Sequence, residues 1–200
     1  MNTFVTKERF NHLYQVISGQ RFLAMQGLGN EVPFFICPFP AEEALEVESM
    51  VKRLIARLKN DANVTVLNIN LYDLAIELLQ KRGIFQQILE DESSMGKDEL
   101  LELLQNVLDP EEHLAPAIAE KARSKKHDVL FLTGVGEVFP YVRSHMLLNN
   151  LQTPLPHHPM VMFFPGEYTY SPETGASLDL FGLLHDDQYY RAFNILNIEP

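Results

Sequence analysis

Two hundred residues, 46% hydrophobic and 22% charged, suffice for a globular core that needs neither disulfides nor a structural metal. Lys and Arg number 16 against 27 Asp and Glu, a formal net charge of -11, which discourages unaided binding to DNA or RNA. The one cysteine, Cys37, permits no internal disulfide; the N-terminus lacks a signal-peptide core and the apolar runs are too short to span a bilayer, so a cytoplasmic location is expected.

Along the chain, residues 6–17 place Phe10, Leu13 and Ile17 at helical spacing, and Gly19 ends that helix. The run "VPFFICPFP" (32–40) predicts a buried strand, with Pro40 at the start of the next helix. That helix carries an apolar stripe of Val47, Val51, Leu54, Ile55 and Leu58. "VTVLNIN" (64–70) predicts a second strand, and "LYDLAIELLQKRG" a helix closed by Gly83. A helical block follows over about 84–126, periodic in "DELLELLQNVLDP" and broken at Pro110; it reads as an insertion or cap. "DVLFLT" (128–133) predicts a strand leading into Gly134-Val135-Gly136, with Pro140 opening a helix that runs to about Leu151. "MVMFFPGEY" (160–168) predicts a fourth strand, "TYSPETGAS" (169–177) an exposed hairpin loop, and "YYRAFNIL" (189–196) a final strand. Strands alternating with amphipathic helices define an α/β domain over 1–200, with a mainly parallel sheet covered on both faces.

Ligands of such sheets bind at the carboxyl ends of the strands, so the turns there carry the functional question. Cys37-Pro38-Phe39-Pro40 lacks the successive N–H groups that cradle phosphate, and Glu42 and Glu43 follow where phosphate would sit. No G-x-x-x-x-G-K-[ST] occurs. Gly134-x-Gly136 lacks a third glycine and a lysine and is followed by Glu137, so the glycines are expected to make a sharp turn without holding a nucleotide. Asn70 and Asp73 are suited to capping a helix. Glu42, Glu43, Asp73, Glu137 and Glu167 fall near strand ends; gathered together they would suit a divalent cation and phosphodiester chemistry, whereas helix starts favour acidic residues regardless. No cofactor is implied.

Cys37 has no neighbouring base, the histidines His127, His145, His157 and His158 lack metal spacing, and Ser144-His145 is not part of a G-x-S-x-G elbow. Tyrosine and arginine are favoured interface anchors, which makes Tyr168, Tyr170, Tyr189, Tyr190 and Arg191 candidate partner-binding residues.

Five stretches, taken in order, resemble one family. They are "GLGNEVPFFICPF" (27–39), "LNINLYDL" (67–74), "LFLTGVGEVFPYVRSHMLLNNLQ" (130–152), "MVMFFPGEY" (160–168) and "LDLFGLLHDDQYYRAFNI" (178–195). The family is BrxB, small proteins of bacteriophage-exclusion (BREX) defence systems. The resemblance implies a P-loop-like α/β core with a degenerate phosphate loop. It also implies a non-catalytic accessory subunit acting through the phosphatase-like PglZ protein or other BREX subunits. No catalytic residue comes with it. The alternative is a metal-dependent phosphoesterase or nuclease built on the sheet-edge carboxylates.

Overall fold

The computed structural model describes residues 3–26, 33–155, 158–171, 175–181 and 192–200. Helix α1 (Lys7–Ser18) starts where the Thr6 hydroxyl accepts the Arg9 N–H, and a short α2 (Gln20–Leu23) follows Gly19. Strand β1 (Phe34–Phe39) leads through a 3-10 turn into α3 (Ala44–Ala62), which buries Val47, Met50, Val51, Leu54 and Leu58 along one stripe. Asn63, in the left-handed region at φ 55, stops α3. Strand β2 (Val66–Asn70) passes directly into α4 (Leu71–Lys81), because the Asn70 side chain accepts the N–H groups of Tyr72 and Asp73 at 2.8 and 3.1 Å.

The helical block resolves into α5 (Phe85–Asp91), α6 (Lys97–Val107), a π turn at Pro110–Leu114 and α7 (Ala115–Ser124). Only its first half caps the domain: Ile88 and Val107 pack with Leu79 of α4 in a satellite cluster. Leu108, Leu114, Ile118 and Ala119 instead join the main core, so α7 belongs to the crossover layer itself.

Strand β3 (Val129–Thr133) is followed by a 3-10 turn at Gly136–Val138 and by α8 (Ser144–Leu151). The expectation that Pro140 opens this helix is thereby corrected. A buried Val138 and Val142 anchor the intervening segment against the core, and the helix begins only at Ser144. Strand β4 (Met160–Ser171) outruns its predicted end and forms an antiparallel hairpin with β5 (Gly175–Leu180). The expected loop thus contributes strand residues from both sides. The final strand shrinks to β6 (Phe193–Asn194), and residues 189–191 lie outside the described residues.

The sheet order is β2-β3-β4-β1-β6, with β5 paired to β4 alone; all pairings on the main path are parallel. Alternation along each strand divides the core. Phe35, Cys37, Phe131 and Phe163 face α1 and α3, while Phe34, Ile36, Leu132 and Phe164 face α4, α7 and α8. The chain crosses one face on α3 from β1 to β2, then returns across the other face to β3 and β4. Reversing direction and face together keeps the crossovers from β1 through β4 of one hand. Pro38 is tolerated inside β1 because β6 pairs only with Phe35 and Ile36, leaving a single neighbour beyond them. Phe131 is fully buried with its ring 5.2 Å from that of Phe163, and truncating such a side chain to Ala costs about 3–5 kcal/mol.

A crevice at the carboxyl edge of the sheet

Because β1 exits toward one face and β3 toward the other, a crevice opens at the carboxyl ends of β1, β3 and β4. It consists of two adjoining hollows of about 540 and 500 Å³ that share Phe39, Ala41 and Phe181. The "LNIN", "LTGVG", "FFPGEY" and "ICPF" stretches all end at this edge.

The glycines here have protein, not open space, against them. Gly134 adopts φ 72, and a Cβ on it would come within 2.5–2.9 Å of the Asn70 carboxamide. A Cβ on Gly136 would meet Pro165 at 2.9 Å and the Phe181 ring at 3.1 Å. At Gly166 it would collide with the Asp179 carbonyl oxygen across the β4–β5 hairpin. All three positions exclude side chains because the protein's own groups occupy the room.

The five carboxylates have separate settings. Glu43 accepts the N–H groups of Phe4 at 2.7 and 3.0 Å and of Val5 at 3.1 Å, fixing the N-terminal segment to the turn after β1. Glu42 and Glu167 border one hollow, and Asp73 and Glu137 border the other with Glu48 and Lys52. Lys52 is bridged to Glu48 at 2.6 Å. Among the described residues, no three of His, Cys, Asp and Glu are grouped to hold a metal ion.

Cys37 is fully buried, and burial pushes its thiol from 9.0 up to about 12, with Arg9 pulling weakly the other way. It is therefore held as a thiol at physiological pH and is not a ready nucleophile. His127 and His158, separated in sequence, meet with tilted rings at 4.6 Å between centroids just before β3 and β4, which pair in parallel. That pairing lies at the amino edge, away from the crevice. His145 is buried in α8, and His157 lies outside the described residues.

Of the tyrosine anchors, Tyr168 borders the crevice half-buried, with its hydroxyl donating to the Ala192 carbonyl at 2.6 Å. That bond ties the hairpin to the segment before β6. Tyr170 pairs with Ala176 through the hairpin backbone, and its side chain is outside the described part. Tyr189, Tyr190 and Arg191 lie outside the described residues.

The sequence reading missed Phe181 and Leu45. Phe181 ends β5 at φ 58, a backbone region that bulky side chains rarely occupy, and lines both hollows while remaining 39% exposed. Its N–H donates to the Pro165 carbonyl at 2.9 Å, and its ring meets Phe139 edge-on at 6.1 Å. Nothing in "LDLFG" announces that conformation. Leu45 is 76% exposed. Its signal was available: it falls on the side of α3 opposite the Val47–Val51–Leu54 stripe, where a large apolar side chain gains nothing from the core.

Fold and site together define an α/β domain whose sheet-edge crevice is apolar at its floor and acidic at its rim. A family model described as "BREX protein BrxB" matches residues 67–195. A "BREX protein BrxB" from Bacillus cereus (strain H3081.97) is 35% identical over 193 residues, covering 95% of this chain and 97% of its own. Another of the same description from Escherichia coli O9:H4 (strain HS) is 32% identical over 192 residues, covering 96% and 92%. No solved structure matches significantly. The chain belongs to the BrxB family of BREX proteins. No helix among the described residues is long and apolar enough to cross a membrane.

Proposed function

We propose that this protein is a non-catalytic subunit of a BREX phage-defence system that binds, and positions or regulates, a partner enzyme such as the PglZ-like component. In this reading its core is P-loop-like but has no working phosphate loop, and it contacts no nucleic acid directly. The observation that carries it is the packing of the strand-end glycines. Asn70 packs against Gly134, and Pro165 and Phe181 against Gly136, so these glycines serve close packing within the protein, and Glu137 rather than a lysine follows them. The surrounding chemistry agrees. Glu43 is committed to the N-terminal backbone, Cys37 is a buried thiol, and the remaining sequence-predicted carboxylates divide in pairs, Glu42 with Glu167 and Asp73 with Glu137, between two hollows. A phosphoesterase or nuclease would need ligands converging on one point, and the described residues group no three of them.

The test is affinity purification of this protein from cells expressing the complete defence operon. A stoichiometric complex with the PglZ-like protein is expected. Recovery of the protein free of every BREX component, or metal-dependent phosphodiester cleavage by the purified chain, would overturn the reading.

A further inference from the structure

Among the described residues, large exposed apolar side chains number five, and three of them are at the carboxyl edge: Leu45 at 76%, Tyr72 at 42% and Phe181 at 39% exposure. Leu45 and Phe181 line the crevice, and Tyr72 stands beside it in the first turn of α4. Leu45 adds nothing to either core, and Phe181, though it packs against Phe139, leaves part of its ring in water from a left-handed backbone. The rim has one sign. Glu42, Glu48, Asp73, Glu137 and Glu167 border the two hollows, and the sole cation of their described lining, Lys52, is already paired with Glu48.

From this juxtaposition we infer that the crevice is a docking site for a segment of a partner protein that inserts an apolar or aromatic side chain between Leu45 and Phe181 and flanks it with Lys or Arg. The inference rests on the partner-binding function proposed above and names the site and chemistry of that contact. Each hollow, at about 500 Å³, has room for a large side chain with its neighbours, not for a folded domain. Charge complementarity selects the occupant. An acidic segment or a nucleic acid meets like charge at the rim, and a second copy of this chain carries the same net -11. A basic segment is drawn in by the field and then held by the apolar floor.

A photo-crosslinking benzoylphenylalanine placed at position 45, and as a control at the exposed Leu89 of α5, tests this in cells carrying the whole operon. Crosslinks from position 45 to a BREX component, mapped to a segment with an apolar residue flanked by Lys or Arg, are expected, with none from position 89. Leu45→Glu should weaken the purified complex at least tenfold. The triple change Glu42→Gln, Glu137→Gln, Glu167→Gln should weaken it and flatten its salt dependence. Leu45 is solvent-exposed, so its variant keeps the wild-type melting temperature and the loss reports docking. A full-strength complex with both variants, or crosslinks from 45 to nucleic acid, an acidic segment or a second copy, would overturn the docking site and leave the proposed function standing. A wild-type protein that captures no BREX component overturns both.

Discussion

The Asn70 carboxamide stands where a side chain on Gly134 would have to go, within 2.5 Å of its Cβ position. Asn70 also caps α4, so one side chain both starts a helix and occupies the space beside the neighbouring glycine. Gly134→Ala should therefore lose twice, about 1–2 kcal/mol for the left-handed backbone and about 1 kcal/mol for a displaced cap. Asn70→Ala should cost about 1 kcal/mol. The double variant should fall short of the sum, because removing Asn70 relieves the clash. Chemical denaturation of the four proteins measures the coupling; strict additivity would mean that the two residues do not share that space.

Glu43→Ala should destabilise by about 1.5–3 kcal/mol, the range for hydrogen bonds to a charged acceptor, and should speed amide exchange at Phe4 and Val5 selectively. Glu42→Ala, one residue away and exposed, should change stability by less than about 0.5 kcal/mol. Equal effects would contradict the N-terminal clamp.

Ellman's reagent should leave Cys37 unmodified in the native protein at pH 8 and titrate one thiol per chain after denaturation, since the group is buried and its pKa stands at about 12. Rapid native labelling would show that β1 opens locally.

Calorimetry with ATP and Mg²⁺ should give no saturable heat up to millimolar ligand. Micromolar binding lost on changing Gly134 or Gly136 would restore a nucleotide to the turn.

Glu77 of α4 accepts from Lys121 of α7 at 2.6 Å and bridges Lys81 at 2.9 Å, and these lysines hold its carboxyl below the usual 4.5. A lowered carboxylate stabilises fully above its unfolded value, and the gain disappears as pH falls through the folded one. Lys121→Ala should cost no more than about 1 kcal/mol at neutral pH, because Glu77 is 36% exposed. That difference should shrink as the pH falls below the ordinary carboxylate range, as melts at neutral and acid pH will show.

The sheet was legible because its strands are continuous apolar runs bounded by prolines and glycines, and the α3 stripe because a 3.6-residue period survives any packing. Pro140 misled because a proline after a glycine turn signals a helix start only if the following residues are free to coil. Here Val138 and Val142 are drawn into the core first. The role of α7 was hidden because Ala115, Ala119 and Ala122 give a weak hydrophobic signal, while their small size is what brings that helix close to the sheet. At the site, capping by Asn70 was readable locally, but the backbone of Phe181 and the reach of Glu43 to Phe4 depend on contacts distant in sequence.

The order β2-β3-β4-β1-β6 has a consequence for a chain emerging from the ribosome. The first two strands made, β1 and β2, never touch; β2 gains its neighbour with β3, and β1 waits for Met160–Pro165 of β4. For most of translation, the strand destined to lie between β4 and β6 has both hydrogen-bonding sides bare and Phe34, Phe35 and Ile36 uncovered by β4. Synthesis up to about residue 155 thus yields an adhesive intermediate, and holding that intermediate apart from its copies is a task for chaperones during translation.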